Sequence, residues 1–232
     1  MNRIPTAKEM SSHMLYLSFL LCQEELILPH SKVSLDSTSA NLRKQGNLQS
    51  WGYSIGVREA IEFVPIESKK LELIAPRLYI QVAVKPIAKI PPFTQLNTTI
   101  EVWDISRHDL QSRWHIDLAN RKKDGTYQAG PLFHLQGGGH KPQGKRDQEV
   151  KISIPRWAIP PMELILTCEM IIANFYPEKW KKIKGQKKWL ELIYVAQQLC
   201  YPMYIERIQN CLVGQRQSVL NAVWATEWNT AK

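Results

Sequence analysis

Two histidines flank a turn signal, and their spacing is where chemistry is to be sought first. Asp124-Gly125 is a strong two-residue reversal, because both residue types tolerate a positive φ. Strands paired continuously back from that turn place His115 opposite His134, Asp117 opposite Leu132 and Arg113 opposite Gln136. Trp114, Ile116, Leu118, Phe133 and Leu135 then point to a core and the two imidazoles to the wet side, since strand side chains alternate. Directly opposed Cβ atoms stand roughly 4.5–5.5 Å apart. Two imidazoles so placed can act as acid and base in an in-line phosphodiester cleavage, with Asp117 as third member of the candidate catalytic set. The same trio can bind a metal, but no certain third ligand is present and no metal is assigned. Gly137, Gly138, Gly139 and His140 follow as a candidate phosphate or ligand loop, where backbone amides can approach an anion closely. Lys141, Lys145 and Arg146 add positive charge beside it. One bulge would move the register and separate the rings. A surface strand histidine and an ordinary glycine loop would read the same way.

A second group is Lys179, Lys181, Lys182, Lys184, Lys187 and Lys188 around Trp180, Ile183 and Trp189, opposed only by Glu178. Lysines neutralise phosphates and tryptophans stack on bases, so the lysines and Trp180 form a candidate nucleic-acid-binding set. The alternative is a solvated helix face anchored by its two indoles.

The elements that must carry these groups are legible from periodicity. Pro160 to Tyr176 is apolar on nearly every side, which marks a buried helix for the rest to pack around. Its two prolines suit a helix start, with Glu163 in the first turn. Before it, Met10 to Leu28 reads as a helix stopped by Pro29, and a second is expected around Ser39 to Gln45, closed by Gly46. Strands are expected around Tyr53 to Val57 and Leu78 to Val84, then over Thr99 to Ile105, Arg113 to Leu118 and Leu132 to Gln136, with a short sixth at Val150 to Ile154. After the central helix, Trp189 to Met203 forms a helical stripe kinked at Pro202 and continued by Ile205, Ile208 and Leu212; a last helix runs from Ser218 to Trp228. The expected fold is one α+β domain over 1–232: a helical region over 1–50, an antiparallel meander over 51–155 and helices over 160–228 packed on it.

The chain has 232 residues, 44% hydrophobic, with formal net charge +9. Such a charge suits nucleic acid, an anionic surface or an acidic protein as partner. Cys22, Cys168, Cys200 and Cys211 form no Cys-x-x-Cys pair and read as buried free thiols of a reducing, cytoplasmic setting. Met14 to Cys22 is short and runs into Gln23, Glu24 and Glu25, so neither a signal peptide nor a membrane anchor is expected, and Leu21 does not suit a lipoprotein cleavage site. No cofactor is expected, and no oligomeric state can be read.

The order of helix, antiparallel meander and helices resembles the ubiquitin-conjugating enzymes over residues 70 to 176. Ser153-Ile-Pro-Arg-Trp-Ala-Ile-Pro-Pro-Met-Glu-Leu-Ile-Leu-Thr167 is similar to that family's tryptophan, proline and apolar helix after the active site, and Pro131-Leu-Phe-His134 falls near its His-Pro-Asn region. His-Pro-Asn itself is missing, and no cysteine lies between His134 and the helix. The resemblance therefore implies an inactive relative used for binding, with no catalytic residue carried over. Three readings stand: a non-catalytic binding protein or complex subunit with a basic surface, taking a protein partner and with nucleic acid as a further candidate; a histidine-dependent phosphodiesterase or ribonuclease using His115 and His134; and a conjugation-type module without a nucleophile.

Overall fold

The computed structural model describes residues 4–68, 72–86, 91–138, 155–214 and 217–228. Helix α1 (Ala7–Gln23) starts at a capping box, in which Thr6 Oγ1 accepts from the Glu9 amide and Glu9 Oε2 accepts from the Thr6 amide. It buries Met10, Met14, Leu17 and Leu21. Pro29 does not terminate it: α1 ends six residues earlier, and Pro29 opens α2 (Pro29–Arg43) at the position where a missing amide costs nothing. The buried stripe of α2 is Ser31, Leu35, Ser39 and Leu42. Two of those four are serines, which is why the stretch reads as polar and only its last turns are visible to a hydrophobic pattern. Ser11 and Ser39 exchange hydroxyl-to-carbonyl bonds of 2.9 and 2.8 Å across the α1–α2 contact, so these small polar groups are satisfied where the helices meet.

The sheet comprises β1 (Trp51–Ile55), β2 (Ile61–Glu62), β3 (Ile66–Glu67), β4 (Leu73–Val84), β5 (Phe93–Asp104), β6 (Asp109–Leu118), β7 (Phe133–Gly137) and β8 (Trp157–Ala158). All pairings are antiparallel, and β4 to β8 follow one another in chain order. This is the expected meander. The sixth strand expected at Val150 to Ile154 lies outside the described residues; the short strand that is seen starts at Trp157.

Beyond it come α3 (Leu164–Phe175), α4 (Pro177–Ile183), α5 (Lys187–Cys200), α6 (Pro202–Gly214) and α7 (Val219–Ala222), then a 3-10 turn over Ala225–Trp228. The kink expected at Pro202 is a full break between α5 and α6, because the proline cannot continue the amide ladder. Helix α3 starts at Leu164, not at the prolines, and Glu163 is its N-cap rather than a first-turn residue. One core joins α1, α2, α3 and α5 to Tyr53, Ile80, Val82, Ile100, Ile116 and Phe133 on one side of the sheet. Three of the four free cysteines are buried as expected, but Cys22 is exposed. No helix among the described residues is long and apolar enough to cross a membrane.

Candidate functional site: the outer face of the sheet

The hairpin register differs from the expected one, and the reason is local. At the tip, Gly125 adopts φ +83°, its amide donates to Lys122 O and the Lys122 amide donates to Thr126 O. The reversal is therefore a three-residue loop closed by a positive-φ glycine rather than a two-residue turn. Asn120 lies opposite Gln128, one residue off the expected Ala129, and Leu118 lies opposite Phe133. Two steps along β6 are matched by five along its partner. The excess, at Ala129 to Pro131, swings out to pair with the C-terminal segment: Leu132 N–H donates to Val223 O and Ala225 N–H to Gly130 O. Pro131 and Trp224 form a bridge there.

As a result His134 faces Asp117 and His115 faces Gln136. The expected direct opposition of the imidazoles is overturned. Each partner has moved by two residues, an even step, so both rings stay on the same face at diagonal positions. The face expected to be wet is only partly so: Gln81, Gln95 and Asn97 are exposed, but two of its site residues are enclosed. His134 is 4% exposed and Arg113 6%.

The outer face is a band of polar groups turned away from the core. Arg77, Tyr79 and Gln81 of β4 pair with Glu101, Thr99 and Asn97 of β5, which pair in turn with Arg113, His115 and Asp117 of β6. Most of these are held by neighbours. Arg113 donates from Nε and reaches with Nη2 to Glu101 Oε1, both at 2.8 Å, and Trp103 Nε1 donates to Glu101 Oε2 at 2.8 Å. Thr99 Oγ1 and His115 Nδ1 are bonded at 3.1 Å, and His134 Nδ1 bonds the Pro131 carbonyl at 3.3 Å. Arg77 lies over the Trp103 ring at 5.0 Å.

Burial pushes Asp117 up to about 7, against the Thr98 amide and the Arg156 charge, which lower it. Burial likewise pushes His134 down to about 4, and Arg156 and His115 act in the same direction. These two opposed groups respond to acid with opposite signs. Asp117, raised in the folded state, contributes stability that is full below 3.8 and lost as pH rises through about 7. His134, depressed in the folded state, contributes stability that is present above 6.5 and lost as pH falls through about 4, roughly 3 kcal/mol in all. Urea unfolding at pH 7 and pH 4 should therefore show His134→Asn gaining stability on acidification relative to wild type, and Asp117→Asn losing it.

The glycine run is not an open amide cradle where it is described. Gly137 ends β7 opposite Trp114, and Gly138, at φ +67°, donates its amide to Arg113 O at 2.8 Å. Gly139 and His140 lie outside the described residues. Among the described residues no group of three or more His, Cys, Asp or Glu side chains is arranged to hold a metal.

The lysine stretch is divided between α4 and α5 and is largely paired. Lys179 donates to Glu24 O at 2.8 Å and Lys182 reaches Glu24 Oε2 at 2.9 Å. Glu24 caps the C-terminus of α1, where a helix dipole favours cations. Lys181 pairs with Glu178 and Lys188 with Glu191, while Lys184 sits over the Trp180 ring at 4.7 Å. Lys187, the first residue of α5, is exposed. Trp189 is buried and donates to Glu169 at 3.3 Å. Lys179 and Lys182 thus join α4 to the end of α1, and the two indoles pack against the core.

Comparison of the chain with protein-family models, with curated proteins and with solved structures finds no match. Sequence reasoning missed Arg77, Tyr79, Glu101, Trp103 and Arg156. The signal for the β4 pair was present, since Arg77, Tyr79 and Gln81 alternate with Leu78, Ile80 and Val82.

Proposed function

We propose that this chain is a non-catalytic binding protein, a subunit of a larger assembly, and that its working surface is the outer face of the sheet. One observation carries the reading: the groups on that face that chemistry would use are already engaged by fixed neighbours. Glu101 holds Arg113 and Trp103, Thr99 holds His115, and Pro131 O holds His134. A pre-ordered array of side chains recognises a ligand at little entropic cost, whereas a general base needs reach to its proton. Two of the four thiols are also withheld from chemistry. Burial pushes the Cys168 and Cys200 thiols far above their usual range, which leaves them unreactive. The sequential meander is compatible with a conjugation-type module lacking a nucleophile, which would also bind without catalysing. The net charge of +9 keeps nucleic acid among the candidate partners, although the lysines of α4 support this less than their number suggests.

The reading that competes is the phosphodiesterase. It is favoured by the opposition of Asp117 and His134, since a raised carboxyl and a neutral imidazole side by side are the makings of an acid–base pair. Labelled single-stranded RNA and DNA incubated with wild type and with His134→Ala separate the two. The binding reading expects the same absence of cleavage in both. Cleavage by wild type that the alanine variant loses would replace it with the enzyme.

A further inference from the structure

Helix α1 buries one side in the core and carries a narrow apolar stripe on the other. Ser12, Leu15, Phe19 and Cys22 are exposed and follow one another at gaps of three, four and three residues, which is one face of a helix. Leu15 is 47% exposed and Phe19 53%. Exposed apolar residues scattered singly are ordinary, but here two large ones stand side by side. The Phe19 ring leans on Tyr16, with 6.1 Å between centroids, and Tyr16 packs against the core. Phe19 therefore stands on a fixed support, and covering it costs little ordering entropy.

The stripe is complementary to itself. Its spacing reads the same from either end, about a midpoint at the level of Leu17. Two such helices laid antiparallel bring Leu15 of one copy beside Phe19 of the other, and Ser12 beside Cys22. The bulky residues then meet in the middle and the small ones at the ends. Charge agrees with that sense of pairing. Lys8, exposed one turn before Ser12, comes to the level of Glu25 in the other copy. The Glu25 side chain is 85% exposed and only loosely held, 3.8 Å from Lys179. Antiparallel packing also sets the two helix dipoles head to tail. A helix that lies on an anionic lipid surface is rich in lysine or arginine beside its apolar stripe, whereas α1 has one lysine, at its start.

We infer that α1 forms a two-fold, antiparallel contact between two copies of this chain, with Leu15 and Phe19 of each at its centre. A stripe of this width covers less than the roughly 1,200–2,000 Å² of a standard interface, so the dimer is weak and grows with concentration. The core joins α1 to the inner side of the sheet, so the contact leaves the outer face free and does not depend on what that face binds.

Sedimentation velocity of the full chain, from dilute to millimolar concentration, should show monomer giving way to dimer. Leu15→Glu and Phe19→Glu should each weaken the dimer at least about 30-fold, because each change occurs twice in the contact. Both positions are exposed, so the variants should melt as wild type does. Ser12→Cys tests the sense of pairing. Mild oxidation should give a covalent dimer in which residue 12 of one copy is joined to Cys22 of the other. Within one chain these positions stand roughly 15 Å apart along the helix, too far for a disulfide. A monomer at every concentration overturns the proposal, as does a dimer that both glutamate variants leave intact. So does a disulfide that joins Cys22 to Cys22 as readily as to residue 12.

Discussion

Glu163→Ala should destabilise the protein by about 3–4 kcal/mol, the sum of a lost helix cap and buried polar groups left without partners. Glu163 is fully buried, and its Oε1 accepts from the Ile165 and Leu166 amides at 2.9 and 3.3 Å. Tyr53 Oη donates to its Oε2 at 3.2 Å, which ties β1 to the start of α3. Tyr53 Oη also accepts from the Leu164 amide at 3.4 Å, but alanine cannot cap Ile165 and Leu166. Glutamine can: its oxygen accepts the amides and its nitrogen faces the Tyr53 hydroxyl. Burial pushes the Glu163 carboxyl up from 4.5 to about 7, opposed by the Ile165 and Leu166 amides. The folded state therefore binds more protons than the unfolded state between those values, and stability falls as pH rises through that window. The contribution is full below 4.5 and is lost above about 7, at a cost of roughly 3 kcal/mol. Glu163→Gln should remove this slope and equal or exceed wild type at pH 8. Denaturant melts from pH 4.5 to pH 8 check it; a Gln variant that keeps the wild-type slope would mean the carboxyl is not the titrating group.

Arg113→Ala and Glu101→Ala should each cost about 3–5 kcal/mol, because each strands a buried charge. The pair is 4% exposed on both side chains, with both nitrogens 2.8 Å from Glu101 Oε1. The double variant Glu101→Leu/Arg113→Met, which replaces charge by similar apolar volume, should lie within about 1 kcal/mol of wild type. A double-mutant cycle by urea unfolding measures the difference as coupling. Additive losses would show that the two residues act separately.

Helix α3 was legible from its unbroken apolar run and strands β4 to β7 from their alternation. The register of β6 on β7 was not. It depends on the Ala129–Pro131 excess being taken up by Val223 and Ala225, more than ninety residues downstream, and no local pattern carries that contact. Only the parity survived, since both imidazoles kept one face. Helix α2 was half-hidden by the buried Ser31 and Ser39. At the site, residue identity on β6 was readable but burial was not. Arg113 and Glu101 are enclosed under a face that alternation alone marks as solvent-facing. The pairing of the lysine stretch was not legible either: its partners Glu24 and Glu25 follow the end of α1, far away in sequence.

The central claim is that partners meet the outer face of the sheet. Photo-crosslinking tests it most directly, with p-benzoylphenylalanine at Gln81 or Gln95 on that face, and at Val33 or Leu220 on exposed helix positions. After irradiation in a lysate of the organism that encodes the chain, the sheet positions should give one discrete adduct that persists after nuclease treatment, and the helix positions none. Adducts from Val33 or Leu220 alone would contradict the account.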